Sequence, residues 1–273
     1  MKNNIIMLLS IFLGLTSAGT YGQDVDDIDT KFWGIHIGAG TGFSSIQELK
    51  TSGVIFSGLS TNYRLGFGKR AERSRFEFDI SLTTGEMKAQ TNEISSENKF
   101  NARLNIAYLR RIAPESGLKW YLGPVLEVQG IFTDNADLSN NSSYLLYNNT
   151  LSVKGQVEKQ INNRLSLTYS LATGIVGMVY ERQSFAFSAP QELLESGQYN
   201  NRAGEQTRLY KHGKMATLGK YYRFISGLSL NLNRSKSMWR LSYNWDFLRY
   251  RQISKGAITA TDHNVTLTYI FKV

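Results

Sequence analysis

From Lys31 onward, apolar residues recur at every second position with polar or charged residues between them. That is the period of a β-strand, whose successive side chains point to opposite faces. Ten such runs can be read. The first, Lys31 to Phe43, puts Trp33, Ile35, Ile37 and Ala39 on one face. Later ones carry Leu59, Tyr63, Leu65 and Phe67, then Phe76, Phe78, Ile80 and Leu82, then Phe100, Leu104, Ile106 and Tyr108. The fifth run has Leu118, Trp120, Leu122 and Leu126, the sixth Leu151, Val153 and Val157, the seventh Leu165, Leu167, Tyr169 and Leu171. The last three hold Tyr222 to Leu232, Trp239 to Phe247 and Val265 to Phe271 at alternate positions.

The intervening parity holds the charge: Arg64, Glu77, Asp79, Arg103, Lys119, Glu127, Lys154, Glu158, Arg223, Arg240, Asp246 and Lys272. A soluble sandwich would alternate in the same way. Three features favour a closed transmembrane barrel with these charges in its lumen. The runs reach the ~9–11 residues that a tilted strand needs to cross a bilayer. Connections alternate between tight ones (Lys69–Ser74, Ala113–Gly117, Ile161–Arg164, Asn233–Ser237) and longer polar ones at 84–98, 133–143 and 182–216. Short turns at one end and long loops at the other is the arrangement of outer-membrane barrels. Aromatic residues also sort by height. Trp33, Phe67, Phe76, Tyr108, Trp120, Trp239 and Phe271 lie at short-turn ends, and Phe100, Phe132, Tyr147, Tyr222 and Phe247 toward the long loops. Two aromatic belts fit the two interfaces of a membrane.

The expected fold is therefore all-β, a closed antiparallel up-and-down transmembrane barrel of about ten strands, with eight or twelve as alternatives. Its domains would be a signal peptide at 1–22, a short periplasmic segment at 23–30 and the barrel at 31–273. The signal rests on Lys2, a short apolar core from Ile5 to Leu15 and small residues before Gln23. That core is too short to serve comfortably as a transmembrane helix. The 273 residues include no Cys, which excludes disulfides, thiolate metal sites and a Cys nucleophile. The formal charge of +9 raises nucleic-acid binding. Basic residues scattered over strands and turns on an exported chain argue against it.

With its signal segment, alternation, loop asymmetry and the ending Tyr269-Ile-Phe271-Lys-Val273, the chain resembles bacterial outer-membrane β-barrel proteins of the small porin-like kind. The resemblance covers residues 31–273 and implies a place in the outer membrane of a Gram-negative envelope. It also implies that Tyr269, Phe271 and Val273 form the C-terminal signal read by the barrel-insertion machinery. In that family the last residue is usually aromatic, and Val273 departs from it.

The expected role is non-enzymatic: a structural or interaction protein of the envelope, a narrow pore, or a subunit of an outer-membrane complex. No cofactor or metal is expected, because His36, His212 and His263 fall too far apart on the strand map to share an ion. The alternative is a barrel enzyme hydrolysing lipid or peptide at its extracellular rim, with Asp79, Asp246, Asp262 and His263 as residues to test. Asp262 and His263 are adjacent, so on an extended strand they face opposite sides and cannot form a dyad. Arg208, Lys211, Lys214, Arg249, Arg251 and Lys255 concentrate positive charge near the long loops, suited to the phosphates of lipopolysaccharide. Within the loop 182–216, Ser188 to Gly197 reads as a short capped helix that plugs the barrel or meets a partner protein. Gly34, Gly38, Gly40 and Gly42 read as a small-residue row making room for long side chains opposite.

Overall fold

A computed structural model describes residues 31–48, 54–91, 95–112, 117–135, 143–183, 213–252 and 256–273. Among them there is no helix, only strands. These are β1 (Phe32–Glu48), β2 (Ile55–Arg70), β3 (Ser74–Ala89), β4 (Ser96–Arg111), β5 (Leu118–Asp134) and β6 (Ser143–Gln160). They continue as β7 (Leu165–Gln183), β8 (Lys214–Thr217), β9 (Tyr221–Asn233), β10 (Ser237–Gln252) and β11 (Gly256–Lys272). Strands adjacent in sequence pair antiparallel except β8 and β9, which both pair with β7, and β1 pairs with β11 to close the barrel. Trp33 and Val273 exchange backbone hydrogen bonds across that seam. The barrel has ten strands, as the alternation predicts. One of the ten is broken: β7 pairs with β8 at Val176–Val179 and with β9 at Leu165–Thr173. The turn between β8 and β9 lets Tyr221 and Arg223 enter the interior, where both are buried.

Closure leaves the ring without a sheet edge apart from β8, which among the described residues pairs with β7 alone, so the backbone of the other strands satisfies itself around the ring. The tight turns are equally self-contained. Asn162 caps one of them, its Oδ1 accepting from the backbone N–H of Arg164 and of Leu165 at 2.9 Å each, as Asn does in turns.

Most strands run to 16–19 residues, longer than the sequence suggests. At ~3.3 Å per residue and a tilt near 40°, 16 residues rise about 40 Å, against an apolar band of ~25 Å in membrane barrels. The extra length follows from a reversal of pattern. Near the short turns, apolar side chains face outward and polar ones inward. On β3 the outward row Phe76, Phe78, Ile80, Leu82 then becomes Thr84, Glu86, Lys88, while the inward row Glu77, Asp79, Ser81, Thr83 becomes Met87, Ala89. β10 does the same: Leu241 is 49% exposed on the outside, whereas Leu248 is buried inside. The parity never slips. Only the polarity changes sides, and a reader who follows apolar residues sees the strand end too early. The connections at 84–98 and 133–143 are accordingly shorter than expected, because their ends belong to β3, β4, β5 and β6.

The inward apolar residues at the long-loop end form one packed cluster. It includes Ile46, Phe56, Met87, Ile131, Leu146, Val179, Leu248 and Ile258. Leu146 and Ile258 are fully buried. The lumen therefore ends in a hydrophobic core at that side, and the polar interior lies between this core and the short turns.

The glycine row of β1 faces β11 across the seam. A Cβ on Gly40 would lie 2.0 Å from the carbonyl oxygen of Val265 on β11. The row does both: at Gly40 it permits close backbone approach at the seam, while at Gly34, Gly38 and Gly42 it leaves room for the side chains of Ile270, Thr268 and Asn264 on β11. Gly66 makes room in the same way for a lumen residue: a Cβ there would meet the His36 ring at 2.5 Å.

Candidate functional site

The described interior between the core and the turns is a polar chamber of about 160 Å³, lined from β2, β3, β4, β5, β6, β7, β9, β10 and β11. Period-two geometry sends the charged parity of each strand into it. Its ion pairs form two tiers.

The tier nearer the short turns is centred on Asp79. Its Oδ1 lies 2.5 Å from His36 Nε2 and accepts from Arg64 at 2.8 Å. Glu77 accepts from Lys154 at 2.5 Å. Glu158 is shared by Arg75 at 3.0 Å and Arg70 at 3.5 Å, and Arg75 also donates to the Tyr121 hydroxyl at 2.8 Å. Arg240 donates through Nε to Asn231 Oδ1 at 2.8 Å. Lys119 stands in register with Glu158 across β5 and β6. Lys272 is at the rim, where Nζ donates to the Arg234 carbonyl at 2.7 Å and sits over the Phe32 ring.

The tier nearer the core is centred on Arg223, whose side chain is 1% exposed. Its guanidinium meets Asp246 at 3.0 Å, Glu127 at 3.5 Å and Gln129. Arg103 pairs with Asp246 as well. Asp246 and Asp262 face each other in register on β10 and β11. Two buried carboxylates so close repel unless each has its own cation. Asp262 has Lys99 at 2.5 Å and Ser44 at 2.6 Å. Amide and hydroxyl groups extend the tier: Gln129 donates to Asn101 at 3.0 Å, Asn148 to Gln129 at 3.2 Å, and Tyr221 meets Thr150 at 2.7 Å.

Arg64, Glu77, Asp79, Arg103, Glu127, Lys154, Glu158, Arg223, Arg240 and Asp246 thus come together inside the barrel. Sequence reasoning missed Arg70, Arg75, Lys99 and His36 as members, although each continues the inward parity of its strand. Asp262 is a correction. It lies in the lumen as the counter-charge of Lys99, buried by the strands that continue above it, and not at an open rim.

The four residues of the enzyme alternative do not converge. Asp79 belongs to the lower tier and Asp246 and Asp262 to the upper one, each bound to cations. His263 faces outward, its Nδ1 2.8 Å from the Tyr243 hydroxyl and its ring stacked on Trp245. Among the described residues no group of His, Asp and Glu could hold a metal.

Of the basic residues near the long loops, Arg249 and Arg251 are exposed on β10 and Lys214 begins β8. Arg208, Lys211 and Lys255 lie outside the described residues, as do His212, the capped segment Ser188–Gly197 and residues 1–30. Phe271 and Val273 are exposed on the outside at the C-terminal end.

No protein-family model and no curated protein sequence matches the chain. Among solved structures it is similar to the outer membrane protease OmpT from Escherichia coli, with a TM-score of 0.53. Identity there is 4%, over 93% of this chain and 100% of that one. The translocator domain of the autotransporter NalP from Neisseria meningitidis superposes with a TM-score of 0.49 and 6% identity, over 99% and 96% of the two chains. At such identities the likeness is one of fold. The OmpT likeness agrees with a closed β-barrel and transfers no residue.

Proposed function

We propose that the protein is an outer-membrane β-barrel with a non-enzymatic role, structural or interactive, in a Gram-negative envelope, and that its lumen is not an open pore. The observation that carries the membrane reading is the outer belt. Ile37, Leu59, Leu65, Leu241 and Leu267 are 49–75% exposed on the outside while the charges of the same strands turn inward. A water-soluble protein rarely leaves so continuous an apolar surface uncovered, whereas hydrocarbon is its natural solvent. Trp33, Tyr108, Trp120 and Phe271 edge the belt at the short turns, and Phe43, Phe100, Phe132 and Tyr222 at its other margin, all exposed. Residues 1–22 act in this reading as the cleaved signal peptide. Lipopolysaccharide is the lipid expected to meet Arg249 and Arg251, and the end at Tyr269, Phe271 and Val273 serves the insertion machinery.

The buried cluster around Leu146, Leu248 and Ile258 speaks against a through-pore, because an apolar plug holds neither ions nor their water. The enzyme reading has no geometric support among the described residues, since its carboxylates are neutralised by Arg and Lys. Membrane fractionation with alkaline-carbonate extraction and N-terminal sequencing of the product test location. Retention in the outer-membrane fraction with a start near Gln23 is expected, and a fully extracted protein sinks the reading. Planar-bilayer recording tests the plug. The purified protein should give no steady channel current, and a Leu146→Ala/Leu248→Ala/Ile258→Ala variant should become leaky.

A further inference from the structure

The geometry points to an oxyanion-binding cup at the short-turn end of the lumen, closed above and suited to inorganic phosphate or a small phosphate-bearing solute. Cations outnumber carboxylates at one end of the interior: near the short turns Arg64, Arg70, Arg75, Lys154 and Arg240 stand against Glu77, Asp79 and Glu158. Near the short turns the carboxylates are already committed. Asp79 serves both His36 and Arg64, Glu77 serves Lys154, and Glu158 is divided between Arg75 and Arg70. Arg240 has Asn231 as its partner and, among the described residues, no carboxylate within ion-pair reach. Arg70 holds only the longer share of Glu158, at 3.5 Å. Both guanidinium groups line a cleft of about 40 Å³ that shares Arg64, Glu77, Asp79 and Arg240 with the central chamber, so cleft and chamber are continuous.

Positive charge in excess of the carboxylates that share a narrow space is unfavourable, and an entering anion relieves it. Guanidinium forks match the geometry of phosphate oxygens. Farther along the axis the excess ends, because Glu127, Asp246 and Asp262 are matched by Arg223, Arg103 and Lys99. Beyond them lies the apolar core. An anion is therefore drawn in from the short-turn side and stopped, which is binding without conduction. The site does not depend on the membrane reading; only the compartment that it faces does, the periplasm in the orientation proposed above.

Isothermal titration of sodium phosphate into the purified full-length protein in non-ionic detergent, at constant ionic strength, tests the cup. Saturable one-site binding is expected, weakened about tenfold or more by Arg240→Gln and by Arg70→Gln, in line with the loss of one charged hydrogen bond. Arg249→Gln, at the opposite end, should leave it unchanged. Arg70 is at the mouth, so its variant remains informative if Arg240→Gln does not fold. Asp24, Asp26, Asp27 and Asp29 precede β1 closely in sequence. The titration is therefore repeated with all four changed to Asn, so that competition by the chain's own carboxylates cannot mask the site. No saturable binding in either form, or binding indifferent to both Gln substitutions, overturns the proposal.

Discussion

The two halves of this barrel solve opposite packing problems with one set of strands. Toward the short turns, apolar side chains face out and a network of ion pairs fills the interior. Toward the long loops, the same strands carry Thr84, Glu86 and Lys88 outside and Met87 and Ala89 inside. The lower half is built for hydrocarbon outside and water within; the upper half has the pattern of a water-soluble sandwich. In the membrane reading proposed above, the change of side marks where the surrounding solvent changes, and it is why the strands outrun the thickness of a bilayer.

This comparison breaks most readily at Arg223. Its removal leaves Glu127, 1% exposed, without its cation in the interior. Breaking one side of a buried pair is destabilising by about 3–5 kcal/mol. Arg223→Leu should therefore lower stability by that order in urea unfolding followed in detergent micelles. If the variant is as stable as the parent, the lower interior is wet enough to solvate a lone carboxylate, and the two halves differ less than their packing indicates.

Next come the apolar positions that one strand presents to opposite sides. Leu248→Ala empties a place in the packed upper core, and about 2–5 kcal/mol is expected for a buried Leu. Leu241→Ala, on the same strand but facing outward, should lose clearly less, since its surroundings can refill the gap. Equal losses at the two sites in urea titrations would mean that the outer belt is packed against something as firm as a protein core.

The alternation made the fold legible. Parity assigned Arg64, Glu77, Asp79, Arg103, Glu127, Lys154, Arg223 and Asp246 to the interior, because a strand has only two faces. Their partners were not legible. Arg103 and Asp246 are 143 residues apart, and only barrel closure brings β4 and β10 within reach of each other. The upper ends of the strands were hidden by the exchange of polarity, which reads as a loop when apolar residues alone are followed. The same exchange misplaced Asp262: with β11 judged to begin near it, the residue looked like part of an open rim. The break between β8 and β9 has a local sign in Leu218-Gly219-Lys220, yet turn-forming residues are equally common in loops.

A charge placed on the belt tests the lower half from outside. Leu241→Arg should destabilise the barrel in a lipid bilayer by about 2–4 kcal/mol if the position lies near the membrane midplane, and by less toward either interface. Repeating the substitution in turn at Trp239, Tyr243, Trp245 and Phe247 would trace the depth profile along one strand. A flat profile would remove the argument for a membrane belt altogether.

The smallest effect expected is at Arg249, two residues beyond Phe247 on the same outward row and exposed. If the polarity exchange on β10 lies between Phe247 and Arg249, then Arg249→Leu touches neither core nor hydrocarbon. Its unfolding free energy should stay within about 0.5 kcal/mol of the parent. Two departures carry information. A clear gain in lipid, absent in detergent, would extend the hydrocarbon boundary above Arg249. A loss that appears only in membranes containing lipopolysaccharide would mean that the guanidinium is held by lipid phosphates, so that the upper half borrows part of its stability from the leaflet it stands in.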